Sequence, residues 1–154
     1  MNEELQKKYL LLKEKNNVKV REKSWKSNLL FTECLEALHD YKIESLEESE
    51  KILTQFQKKF IMTNCGYIDW NHIDNSKIIK DVLEIKNVCD ISKEYYILWD
   101  QKDIPVVSCQ LSTIIDNIDD VLAVSFDTWV LSNDIIEIIE FYHEGTITYG
   151  KVID

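Results

Sequence analysis

Residues 121–152, VLAVSFDTWVLSNDIIEIIEFYHEGTITYGKV, decide the fold class. The run is rich in β-branched and aromatic residues, and two turn signals divide it. Ser132-Asn133-Asp134 is the first and Glu144-Gly145 the second, where Gly145 supplies the positive φ that a hairpin turn favours. The pieces left between them, Val121 to Leu131, Ile135 to His143 and Thr146 to Val152, read as strands. In the last piece Ile147, Tyr149 and Lys151 alternate with Thr148 and Gly150, the period of two of a strand with distinct faces. Strands joined by tight turns form an antiparallel meander.

Upstream the signals change to helical ones. Leu5, Tyr9 and Leu12 lie at i, i+4 and i+7, one stripe of a short helix over Glu3 to Lys15 that Asn16-Asn17 interrupts. A second helix fits Ser27 to His39, with Leu30, Phe31, Cys34, Leu35 and Leu38 on one face. Ser45 followed by Glu48 is a capping box that starts a third helix, which buries Leu46, Leu53, Phe56 and Phe60. Asn64-Cys65-Gly66 marks a turn, Tyr67 to Trp70 a short strand, Ser76 to Ile85 a helix, Tyr95 to Trp99 a strand, and Ser108 to Asn117 a short helix. Helices first and strands later predict an α+β fold, with N-terminal helices packed on one face of a C-terminal, mainly antiparallel β-sheet. A length of 154 residues suits a single domain over 1–154, mainly helical over 1–60 and mixed over 61–154.

Composition narrows the function. Eighteen Lys and Arg against 28 Asp and Glu give a net charge of −10, the wrong sign for direct nucleic-acid binding. The layout is uneven: residues 1–60 sum to +1 and residues 61–154 to −11. The basic stretch Lys7 to Lys26 reads as the solvent face of a helix. Cys34, Cys65, Cys89 and Cys109 contain no C-x-x-C pair, so no zinc site is expected; four free thiols without a secretory signal point to the cytoplasm. No apolar run reaches the roughly 18 residues that a membrane helix needs, so a membrane is not an expected partner.

Enzyme signatures are missing. Three glycines, Gly66, Gly145 and Gly150, cannot assemble a phosphate-cradling loop, and neither H-E-x-x-H nor G-x-S-x-G occurs. Neither a cofactor, a metal nor a catalytic residue is expected. The alternative reading is a small enzyme with a polar site near Asp69, His72 and Asp74, or else an adaptor or regulatory protein-binding domain. His143-Glu144 reads as a polar pair beside a turn, and His39 as a cation at a helix C-terminus.

What exceeds a bland surface is the acidity of the rear half. Asp116, Asp119, Asp120, Asp127, Asp134, Glu137, Glu140 and Glu144 fall within 29 residues that hold no Lys or Arg. Unneutralised carboxylates repel one another, and a basic partner offsets that repulsion and is steered by it. In a strand over 135–143, Glu137 and Glu140 take opposite faces. Trp129 is either core or an aromatic anchor of the same surface. These nine residues are the candidate contacts.

Tyr96-Ile97-Leu98-Trp99-Asp100, Ile104-Pro105, Leu111 to Asn117, Asp119-Asp120-Val121, Ser125 to Trp129 and Ile139 to Gly145 together resemble immunity proteins of contact-dependent growth inhibition, bacterial proteins encoded beside polymorphic toxins. The resemblance covers residues 95–150 and is one of pattern. It implies a cytoplasmic, non-catalytic protein that binds and neutralises the C-terminal domain of one cognate toxin, often a nuclease. Nuclease toxins tend to be basic, so the acidic rear half suits such a partner. Oligomeric state is left open.

Overall fold

The computed structural model describes residues 2–152, with the side chains of all of these except 17–24. Three helices lead: α1 (Glu3–Lys26), α2 (Leu29–Leu38) and, after the short strand β1 (Lys42–Ile43), α3 (Leu46–Lys59). Strands β2 (Asn75–Ile79), β3 (Glu94–Trp99) and β4 (Val107–Gln110) follow, then helices α4 (Leu111–Asp116) and α5 (Ile118–Leu122). The chain ends in β5 (Thr128–Ser132), β6 (Glu137–Phe141) and β7 (Ile147–Lys151). The strands form one antiparallel sheet in the order β1-β4-β3-β5-β6-β7-β2, in which β5-β6-β7 is the expected meander. The architecture is α+β.

Both faces of the sheet are covered, where helices on one face were expected. Phe31, Cys34, Leu35 and Leu38 of α2 pack with Leu111, Ile114 and Val121 against Tyr95, Ile97, Val130 and Ile139. The other parity of the same strands, Leu98, Trp129, Leu131 and Ile138, packs against Ile52 and Phe56 of α3 and Phe60 just after it. Alternate residues thus serve two cores, which is why β5 is buried along its whole length.

Several elements depart from the local signals. Residues 75–79 form β2, not a helix, because antiparallel pairing with β7 satisfies their backbone; a 3-10 turn over Val82–Asn87 follows, capped by Asp81. Val121 is helical rather than extended, and β5 begins at Thr128, since α5 buries Val121 in the α2 layer. Residues 107–110 pair as β4 before the helix at Leu111. Of the expected strand at 67–70 only Ile68 bridges, to Met62, and Trp70 opens a 3-10 turn. Helix α1 continues through Asn16-Asn17, and its predicted stripe is not buried: Leu5, Tyr9 and Leu12 are exposed. Trp25 attaches it to the body, with its ring edge-on to Phe31 at 5.5 Å.

Candidate functional site

Strand β6 carries a carboxylate into the interior. Glu140 is 3% exposed, in register with Trp129 of β5 and Thr148 of β7. Its Oε2 accepts from the Ile68 backbone N–H at 2.7 Å and from Trp129 Nε1 at 2.9 Å; its Oε1 accepts from Trp70 Nε1 at 3.0 Å. A buried charge requires such donors, and among the described residues no Lys, Arg or His forms an ion pair with it. The three bonds tie the loop after α3 to the sheet. Trp70 then lies across Gly150, where a Cβ would run into the indole ring, so β7 has glycine at the point of closest approach.

Beside Glu140 lies an open groove of about 750 Å³, bordered by Tyr67, Trp70, Tyr142, Glu144 and, from the edge strand β2, Lys77. Aromatic rings continue outward from it. Tyr67 meets Tyr142 at 5.4 Å, Tyr142 meets His143 at 4.2 Å, and His143 meets Phe126 at 6.4 Å. Phe126 is 85% exposed. Behind this row Asp127 is buried, accepting from the His143 backbone N–H at 2.8 Å and lying 3.1 Å from His143 Nδ1. Asp127 therefore fixes the β6–β7 hairpin against the start of β5.

The nine candidate contacts divide by their surroundings. Glu140, Asp127 and Trp129 are buried; Asp127 and Trp129 leave the accessible set, and Glu140 keeps only the edge that lines the groove. All three hold the interior together. Glu140 and Asp127 accept backbone and ring hydrogens, and Trp129 packs on Phe56 at 5.8 Å. Glu137 is half-buried, accepts from Tyr95 Oη at 2.7 Å and stands opposite Lys151. Asp134 is exposed but engaged by Ser132 Oγ at 2.6 Å and the Ile136 N–H, which hold its carboxyl below the usual range. Asp116, Asp119, Asp120 and Glu144 are exposed, and their carboxylates have no hydrogen bond or ion pair among the described residues. The acids at 116–120 sit on α4 and α5. The bond from Trp99 Nε1 to the Val121 carbonyl, 2.8 Å, ties α5 to the sheet end where β3 finishes and the β6–β7 hairpin turns.

The polar cluster at 69–74 is a local capping arrangement. Asp69 accepts from the Asn71 N–H at 3.3 Å and pairs with His72 Nε2 at 3.2 Å; Asp74 takes no part in the pair. Among the described residues no three His, Cys, Asp or Glu side chains gather as metal ligands. No helix among them is long and apolar enough to cross a membrane.

Residue-type reasoning missed the ring row and the role of Glu140. One signal was present: Ile138-Ile139-Glu140-Phe141 sets a lone acid in a continuous apolar run, the mark of a strand buried on both faces.

Residues 28–150 match the family model described as CdiI immunity protein EcoliA0-like. The class is therefore that of immunity proteins of contact-dependent growth inhibition, which bind a toxin. Within that class the chain belongs to the EcoliA0-like CdiI family, and α1 precedes the matched segment. No curated protein matches it.

Proposed function

We propose that the chain, as a single domain over 1–154, neutralises a basic, nuclease-type toxin domain by binding it through exposed carboxylates, in the cytoplasm and without catalysis. Family membership supports the toxin as partner; the charge layout supports its basic character. The observation that carries the reading is the set of acids Asp116, Asp119, Asp120 and Glu144, exposed on the α4–α5 segment and the β6–β7 turn with no ion pair among the described residues. A surface of one sign attracts a basic partner over roughly one Debye length, about 8 Å at physiological salt. Nucleic acid and membrane are not direct partners in this reading, because the same field repels phosphate.

The test is association kinetics with the C-terminal domain of the toxin encoded beside the chain. The wild-type association rate falls steeply between low and high salt. A variant carrying Asp116→Asn, Asp119→Asn, Asp120→Asn and Glu144→Gln associates about tenfold more slowly at low salt and loses most of the salt dependence. Equal rates for the two proteins at every salt concentration reject the acidic surface.

A further inference from the structure

We infer that the toxin seats an arginine side chain in the groove beside Glu140, with Phe126 as the apolar anchor at the end of the ring row. This rests on the toxin reading and specifies its contact.

Among the described residues Phe126 is the most exposed large apolar side chain, at 85%, and the ring of His143 is its single aromatic neighbour. An isolated phenylalanine in water forgoes the burial that stabilises its kind, and well-filled aromatic anchors dominate protein interfaces. The row from Phe126 to Tyr67 is continuous, and it ends in a cavity, so anchor and pocket form one surface.

The groove's chemistry selects the occupant. Tyr67, Trp70 and Tyr142 line the groove with aromatic rings, against which a planar guanidinium stacks better than a compact ammonium. A carboxylate has about four lone-pair positions, and Glu140 uses three, which leaves one on Oε1. All three donors to Glu140 are neutral, so its charge is bonded but uncompensated. Glu144, at the same groove, has no partner among the described residues. Lys77 borders the groove without an ion pair to either acid. A guanidinium between the rings stacks, neutralises Glu140 and meets Glu144 at the opening.

Two arms test this. In the first, the complex with the adjacent toxin domain is measured by calorimetry and by the indole N–H signals in NMR. Trp70 and Trp129 donate to Glu140, so their signals shift on binding. Phe126→Ala removes an exposed side chain, leaves the fold intact and weakens binding about 30-fold; Tyr142→Ala, which truncates a half-buried ring of the row, also weakens it. An unmoved Trp70 signal, or an affinity within about twofold of wild type for Phe126→Ala, overturns the docking mode while the toxin reading stands. A wild-type chain with no affinity for that domain overturns both. In the second arm, an arginine-bearing peptide titrated into the free chain shifts the Trp70 and Trp129 signals. Equal shifts from the matching lysine peptide overturn the choice of guanidinium.

Discussion

Glu140 is a charge placed among apolar neighbours, and its environment explains why it is tolerated. Two indoles and one amide donate to it, at 2.7–3.0 Å. Removing the acceptor orphans the buried Ile68 amide and Trp129 indole, each at a cost of about 1–3 kcal/mol, and the half-buried Trp70 indole. Glu140→Leu is expected to lower stability by about 3–5 kcal/mol, read as a drop in the urea midpoint with changed near-ultraviolet dichroism from Trp70 and Trp129. Glu140→Gln keeps an acceptor at each position but one, and costs less. An unshifted midpoint for the leucine variant would show that the network contributes nothing. The parity of this residue was legible: strand alternation put Glu140 on the face opposite Glu137, and so it is. Which face is covered was not legible, because the cover comes from Ile68 and Trp70, 72 and 70 residues earlier in the chain.

Element boundaries were readable where the cause is local. Ser45 starts α3, accepting from the Glu48 N–H at 3.1 Å as the sequence pattern requires. Glu48 does not complete the reciprocal bond; its carboxylate faces Lys51 at 3.5 Å, which also meets Glu47 at 3.6 Å. Ser45→Ala therefore removes one cap bond, and a loss of about 1 kcal/mol is expected, measured as a lower thermal midpoint with loss of helical signal. Ser45→Gly loses only a few tenths, so equal losses from the two would assign the effect to something other than the side-chain acceptor. The turn at Gly145, with φ of 95°, is equally local. The segment at 75–79 is the opposite case. Its apolar spacing suits a helix, and only the five-residue pairing with β7 makes it a strand. The same holds for α1, whose stripe implied a covering layer that the described residues do not supply.

At the scale of the molecule, burial sorts the four cysteines. Cys34, Cys89 and Cys109 lie in the α2-side core, where burial pushes the first two thiols up to about 12 and the third to about 11. Cys65 is exposed. At pH 8 one thiol is expected to react quickly with a maleimide and the other three only on unfolding; a second fast thiol would contradict the described core. The sign of the pH dependence follows. These thiols ionise at an ordinary value of 9.0 and at higher pH in the folded chain, so above pH 9 the unfolded state sheds protons that the folded state retains. Their contribution to stability is complete below pH 9 and declines as pH rises through 11 to 12. Burial raises Tyr149 to about 12 in the same direction. A falling thermal midpoint from pH 9 to 11 is expected, and a flat one would refute it.

The amino-acid order by itself determined the late meander, the start of α3, the positive-φ turn at Gly145 and the charge imbalance between front and rear. Each depends on residues within a few positions of one another or on composition alone. Tertiary structure decided which acids are free. Asp127 and Glu140 carry the same charge as Asp119 and Glu144, yet two are enclosed and two are bare. That difference is made by what packs on each: Ile68 and Trp70 close over Glu140 and the β6–β7 turn over Asp127, while Asp119 on α5 and Glu144 at the hairpin tip stay exposed. Exposure is a property of what packs on a residue, and sequence spacing carries no record of it.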